Sequence, residues 1–164
     1  MQRHRSTVGF VLALLTLLSL VGPAAAGEQV PFSGTLEGSF TATQDAPPAI
    51  NRQLDATGQA SLLGAFTYSF PHSVDRSVFP ATGVGVATFT AANGDQVFAT
   101  ISGHATPIGN GILAGMEIGT ITGGTGRFAG ASGSFVIERL IDTVGLTTVA
   151  SFEGTITAPG AAGN

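Results

Sequence analysis

Residues 30–43 alternate without a break between small or apolar and polar side chains, and this pattern constrains the fold more than any other feature. One face carries Val30, Phe32, Leu36 and Phe40 with small residues between them, whereas the other carries serine, threonine and glutamate. A period of two predicts a half-buried β-strand. No segment after residue 26 shows a convincing helical period, so the chain is predicted to be all-β.

Turns and further strands follow from the same pattern. Residues 56–70 form a second long alternating run, whose glycines allow a strand to bend sharply. Residues 44–53 contain Pro47 and Pro48 and are predicted to form a loop, because proline lacks the N–H that a strand ladder needs. Another loop is predicted over residues 71–80, which begin and end with proline.

The rest of the chain continues as short strands. Asn93 and Gly94 separate two β-rich runs, and this dipeptide readily adopts the positive φ angles of a tight hairpin turn. Seven or eight strands result. Beyond the two long runs, the predicted strands cover residues 83–91, 95–105, 112–122, 134–142 and 146–158.

The first and last predicted strands share a local sequence. Phe32 precedes Gly34 by two positions in the first strand, and Phe152 precedes Gly154 in the same way in the last. This similarity favours two strands in similar surroundings, as neighbours that close a barrel would be. Residues 27–164 are predicted to form a single all-β domain.

Residues 1–26 have the three parts of a secretory signal peptide. Arg3 and Arg5 supply the basic start, residues 8–21 form an apolar run, and three alanines ending at Ala26 precede the predicted cleavage site. The apolar run is shorter than the roughly 20 residues of a membrane-spanning helix. We expect a secreted protein, extracellular or periplasmic, with no membrane anchor after cleavage.

The composition of the chain excludes several classes of function. Its 164 residues include no cysteine and no lysine, which excludes disulfides, thiolate nucleophiles, thiolate metal sites and Schiff-base chemistry. After residue 26 there are four arginines and ten carboxylates, a net charge of −6, which argues against a nucleic-acid partner. Core packing and sheet hydrogen bonds alone must hold the fold.

Residues 123–133 read Gly-Gly-Thr-Gly-Arg-Phe-Ala-Gly-Ala-Ser-Gly and are the most distinctive segment. The glycines lie between two strand patterns instead of opening a helix, and the Walker lysine is missing, so the segment does not match a phosphate-binding loop. We interpret it as a structural connection with positive φ angles, in which Phe128 closes one barrel end. Its motif residues are Gly123, Gly124, Gly126, Phe128, Gly130 and Gly133.

This glycine motif resembles one near the end of plant dirigent proteins and of related barrels of the allene oxide cyclase type. Residues 90–100 also resemble uncharacterised secreted bacterial proteins that carry the same motif. The resemblance implies an eight-stranded antiparallel barrel with an apolar interior, commonly trimeric through its outer strand faces. Dirigent proteins steer radical coupling with acidic and arginine side chains in the barrel, and the cyclases fold a fatty-acid epoxide in a cavity.

An ion pair is predicted inside the barrel. Arg139 shares its strand face with Phe135 and Ile137, and a buried arginine is tolerated only with a partner. Glu117, which lies on another predicted strand, can supply the carboxylate. The pair is either structural or an anchor for a ligand.

The only tyrosine, Tyr68, lies in register with Phe66 and Phe70. Its hydroxyl is either satisfied in the core or directed into a cavity. Two separated histidines give no metal site, and no Gly-x-Ser-x-Gly elbow supports a hydrolase, so neither a metal nor a cofactor is expected. The candidate ligand-binding residues are Phe40, Phe66, Tyr68, Glu117 and Arg139.

Apolar side chains on both faces of residues 83–91 and 95–105 predict a homo-oligomer, most plausibly a trimer. The preferred function is a secreted barrel that binds a small apolar molecule in its interior, without assigned chemistry. The first alternative is a cyclase-like, isomerase-like or dirigent-like protein that guides stereochemistry. The second is a structural surface protein whose interior is filled by Phe32, Phe40, Phe66, Phe70 and Phe152.

Overall fold

Eight antiparallel strands close into a barrel, each paired with the next and the last with the first. The computed structural model describes residues 27–46, 49–157 and 159–160, with the backbone alone for residues 43–46. The predicted signal peptide, residues 1–26, lies outside the described residues. The strands are β1 (Gln29–Ala46), β2 (Ala49–Ala60), β3 (Gly64–Asp75), β4 (Ala81–Ala91), β5 (Gln96–Gly109), β6 (Ile112–Gly124), β7 (Gly133–Asp142) and β8 (Thr147–Thr157).

Alternate residues of the strands point into the barrel, as the period of two predicts. Phe32 lies at the centre of a group of aromatic rings, with ring centroids 5.5 Å from Phe135 and 5.1 Å from Phe152. Phe89 joins the same group, 4.8 Å from Tyr68 and nearly perpendicular to it. We call this group the aromatic cluster; its members are Phe32, Phe66, Tyr68, Phe89, Phe135 and Phe152.

Strands β1 and β8 are neighbours, which confirms the prediction drawn from their shared local sequence. Phe32 is paired with Gly154, and Gly34 is paired with Phe152. A Cβ atom at Gly34 would come within 2.8 Å of the Phe152 ring. Phe152 therefore occupies the space that Gly34 leaves on the opposite strand.

The loop predicted over residues 44–53 is wrong. Strand β1 continues to Ala46 and β2 begins at Ala49, with Ala46 and Ala49 paired across the connection. Pro47 and Pro48, on which the loop prediction rested, lie outside the described residues.

The single long strand predicted over residues 56–70 is also wrong, because the chain turns at residues 61–63. Leu62 adopts a φ of 68° there, a conformation that a leucine seldom takes. Leu63 is buried in the core and Leu62 packs against it. Burial of Leu63 and partial burial of Leu62 thus stabilise a turn that has no glycine, asparagine or proline at its centre.

Strand β3 also runs through Pro71 to Asp75, so the loop predicted over residues 71–80 is shorter than expected. The pairing of β3 with β4 passes from Ser69 to His72 and omits Phe70 and Pro71. Pro71, which has no N–H to donate, thus lies where the β3–β4 ladder is interrupted.

The glycine motif connects β6 to β7 through a short 3-10 helix, Gly126–Phe128. Phe128 is buried, and its N–H donates to the Thr125 carbonyl over 3.0 Å. Gly126 has a φ of 56°, and a Cβ there would collide with the Asp95 carboxylate. At Gly124 a Cβ would lie 2.7 Å from the Phe128 Cβ.

We therefore expect Gly126→Val and Gly124→Val to lower the free energy of unfolding by about 1–3 kcal/mol or more, because one needs a positive φ and the other has no room. Urea unfolding measures the change. Gly83→Val is the matched control, since a Cβ at Gly83 meets its nearest atom only at 3.8 Å. If the motif variants are as stable as the control variant, the structural role of the motif is contradicted.

Candidate functional site

One end of the barrel holds a cavity of ≈ 620 Å³. It lies at the end that carries the β1–β2, β3–β4, β5–β6 and β7–β8 connections, opposite the 3-10 helix. Its apolar lining includes Phe40, Phe70, Val74, Leu113 and Ile141. We call it the open-end cavity. The aromatic cluster fills the other half of the barrel, so Phe40 and Phe70 line a space that a filled barrel would not have.

Arg139 and Glu117 form the predicted ion pair beside this cavity. Arg139 Nε and Nη2 donate to the same Glu117 oxygen, Oε2, over 3.1 and 2.9 Å. Arg139 is only 3% exposed. Gly103 lies opposite Glu117 on β5, and a Cβ there would come 2.7 Å from the Glu117 Cγ, so the missing side chain makes room for the glutamate.

Two buried donors of this site have no hydrogen-bond partner among the described groups of the protein. They are the Tyr68 hydroxyl and Nη1 of Arg139. Burial raises the pKa of Tyr68 well above its usual value, and the nearby positive charge of Arg139 opposes that rise. The phenol therefore stays protonated at neutral pH. Because its oxygen can also accept, and Arg139 is close enough to lower the pKa of Tyr68 as a hydrogen-bond donor, the two side chains form one polar spot near the floor of the cavity.

His72 is a cavity residue that the sequence reasoning did not select. Its ring stacks on Phe70, with centroids 4.5 Å apart and planes 11° apart. Its Nδ1 lies 3.0 Å from the Phe70 carbonyl oxygen, which can only accept, so Nδ1 carries the hydrogen and Nε2 keeps a lone pair. The alternation of Phe66, Tyr68 and Phe70, extended past Pro71, would have placed His72 on the inner face.

Three of the five candidate ligand-binding residues line the open-end cavity: Phe40, Glu117 and Arg139. Tyr68 lies behind the floor, with its ring centroid 6.0 Å from that of Phe70. Phe66 packs inside the aromatic cluster, 5.5 Å from Phe89, and is not part of the cavity lining. Sequence reasoning also missed the contribution of Arg52 and Arg76, which line the cavity.

The barrel is similar in structure to solved dirigent proteins. The barrel matches the pterocarpan synthase dirigent protein PsPTS1 with a TM-score of 0.59 and 11% identity, over 80% of this chain and 96% of that one. It matches the pterocarpan synthase dirigent protein GePTS1 with a TM-score of 0.60 and 11% identity, over 88% of this chain and 99% of that one. This chain has the dirigent fold. No protein-family model matches its sequence, and no curated protein is significantly similar to it.

The dirigent fold agrees with the eight-stranded antiparallel barrel expected from the glycine motif. At 11% identity the likeness covers the fold alone and assigns no side chain a role. In the part of this dirigent-type barrel that the structure describes, no helix is long and apolar enough to cross a membrane. The chemistry must be argued from the cavity itself.

His72 makes the stability of the barrel depend on pH. Burial lowers the pKa of His72 below its ordinary value of 6.5, and the hydrogen bond to Phe70 opposes this. The folded state then binds fewer protons than the unfolded state, so stability is full above the ordinary value and falls as the pH drops through it. We expect urea unfolding to show a smaller loss between pH 7.5 and 5.5 in His72→Asn than in the wild type. The same substitution at the exposed His104 is the control, and equal losses in all three proteins would contradict the assignment.

Proposed function

We propose that this chain is a secreted dirigent-type barrel that binds one small, mostly apolar molecule in the open-end cavity. The observation that carries the proposal is a cavity of ≈ 620 Å³ with apolar walls and one buried ion pair. Ligand pockets of about 300–1,000 Å³ with few convergent polar groups are typical of small-molecule sites. Secretion rests on the signal-peptide pattern of residues 1–26.

The polar groups of the cavity favour a ligand that carries an acceptor oxygen. A buried donor without a partner costs about 1–3 kcal/mol, and Arg139 Nη1 and the Tyr68 hydroxyl are both in this state. A carbonyl or ether oxygen near Arg139 would accept from the guanidinium and lie close to the phenol. Glu117 already balances the charge of Arg139, so this oxygen need not be charged.

A dirigent-like role in guiding stereochemistry is the second candidate. It is favoured by the unequal walls of the cavity, with the stacked Phe70 and His72 on one strand and aliphatic Leu113 and Ile141 on others. Such walls hold a reactive molecule in one orientation. His72 Nε2 could accept a proton while Arg139 stabilises a developing negative charge on oxygen. The alternative of a structural surface protein assumed a completely filled interior, and the open-end cavity is not filled by side chains.

Arg139→Met tests the binding role, because methionine keeps an apolar stem and removes the charge. We expect native mass spectrometry to find a small apolar molecule on wild-type protein purified from its own host, and to find it lost from the variant. Removing one partner of a buried pair can cost about 3–5 kcal/mol, so Arg139→Met/Glu117→Leu is made in parallel. This double variant replaces both charges with apolar groups and should fold, yet still lack the ligand.

Three results would count against this proposal. An empty wild-type protein contradicts ligand binding. Unfolding of Arg139→Met together with a folded, ligand-loaded double variant shows that the pair is structural. No effect of either variant on ligand or stability means that Arg139 does not contribute to the site. Arg127→Met, at the opposite barrel end, controls for loss of an arginine elsewhere.

We also propose that the barrel forms a trimer through its outer face. Val84, Ile118 and Val136 are all exposed, and the strand register places them in one row with Ser102 across β4 to β7. An exposed apolar row of this kind favours burial against another subunit.

Sedimentation equilibrium at micromolar concentration should therefore give the mass of a trimer. Ile118→Arg/Val136→Arg should give a monomer, because two charges would be buried in the contact. Thr57→Arg, on the exposed face of β2, should leave the trimer intact. A wild-type protein that sediments as a monomer contradicts this proposal and leaves the cavity proposal standing.

A further inference from the structure

The inward glycines around the open-end cavity differ in what covers them. Gly85 is paired with His72, and a Cβ there would lie 2.8 Å from the Phe70 ring and 2.8 Å from the His72 Cβ. The stacked rings of these two residues therefore occupy the space that Gly85 leaves. Gly103 is covered in the same way, because a Cβ there would come 2.7 Å from the Glu117 Cγ.

Gly83, also on β4, has no such cover. A Cβ there would meet its nearest atom, the Ser73 carbonyl oxygen, only at 3.8 Å, and the next, in the Val74 side chain, at 3.9 Å. Its φ angle lies outside the left-handed region, so neither crowding nor backbone conformation requires a glycine at this position. Glycine weakens the interior of a strand, and it often marks a bulge or a place where a ligand approaches the backbone closely.

The strand register places Gly83 in a patch of small inward residues. Gly83 is paired with Gly103, and Ala81 with Ala105, in a stretch of the β4–β5 ladder without a register shift, so Gly83 does not mark a bulge. All four residues line the open-end cavity. We call them the small-residue wall. Because Glu117 covers Gly103, the free space of this wall lies over Gly83.

A buried donor beside this wall points independently to a ligand. Arg139 continues the row that Ala81 and Ala105 begin, with Gly115 between Ala105 and Arg139. It is only 3% exposed and lines the same cavity, and its Nη1 has no hydrogen-bond partner among the described groups of the protein. Glu117 accepts from Nε and Nη2, so an acceptor oxygen of a ligand can still bind at Nη1.

We infer that Gly83 determines how wide a ligand the open-end cavity accepts, because the body of the ligand lies over Gly83 while its acceptor oxygen meets Arg139. The inference rests on the proposed binding function and assigns a specificity-determining residue to it. A side chain at Gly83 would project into the cavity from the small-residue wall. It would take the space of a wide ligand and leave space for a narrow one.

Two neutral cyclic ethers, tetrahydropyran and 1,8-cineole, test this inference. They share an ether oxygen in a six-membered ring, and the bridged ring and methyl groups of cineole make it wider. NMR chemical-shift titration of the wild type should give cineole a Kd at least about 10-fold below that of tetrahydropyran, because cineole buries more apolar surface. In Gly83→Val the Kd of cineole should rise at least about 10-fold, whereas that of tetrahydropyran should change by less than about three-fold.

Two further variants control this experiment. Thr82→Val places the same residue at the next position of β4, on the exposed outer face, and should keep the preference for cineole. Gly83→Ala adds a single methyl group and should give an intermediate Kd for cineole. Because alanine disturbs the strand less than valine, Gly83→Ala decides the test if Gly83→Val does not fold.

The outcomes separate this inference from the proposed function. If cineole binds equally well to the wild type and to the folded Gly83 variants, or if both ethers lose affinity to the same extent, the width inference is wrong and cavity binding stands. If Thr82→Val weakens cineole binding as much as Gly83→Val does, the effect belongs to the strand and the inference is wrong. If the wild type binds neither ether, the inference and the cavity proposal are both contradicted.

Discussion

The interior of a closed eight-stranded barrel has to be filled by side chains from its own strands, and this constraint organises the molecule. Such a barrel is just wide enough for its inward side chains or for one small ligand. In one half, large rings lie opposite glycines, as Phe152 does opposite Gly34. In the other half, Gly83 and Gly103 are inward glycines that no aromatic ring covers. The barrel is therefore packed solid at one end and hollow at the other.

Arg139 lies at the boundary between the packed half and the hollow half of the barrel. A charge deep in the aromatic cluster would lose all hydration, whereas a charge at the cavity mouth would need no partner. Arg139 lies between them, almost fully buried yet part of the cavity lining, and Glu117 provides the required carboxylate. A buried ion pair contributes little net stability compared with apolar side chains of the same size. Its position in the lining of the open-end cavity is therefore easier to explain if the pair contacts the proposed ligand.

The alternation of apolar and polar residues predicted the strands well where one face of a strand is buried and the other is exposed to solvent. The alternation around Phe32 and Phe152 predicted both the strands and their pairing. It failed at Leu62, because a leucine at positive φ has no local signature and the turn is stabilised by burial in the finished core. It also failed at Pro71, since only the interrupted β3–β4 ladder shows that a proline is tolerated there. Because residues 71–80 were predicted to be a loop, His72 was not assigned to an inward strand face. The proximity of Arg52 and Arg76 to the same cavity follows only from the closed barrel, so the local sequence could not predict it.

The dirigent fold and the chemistry of this protein are set by different parts of the chain. The glycine motif and the aromatic cluster occupy one end, and their packing determines whether the barrel closes. The cavity lies at the other end with His72 and three arginines, Arg52, Arg76 and Arg139, and the β3–β4 and β7–β8 connections supply part of the rim. At 11% identity the solved dirigent structures share this fold alone, so the proposed function of this chain has to be tested at its own open-end cavity.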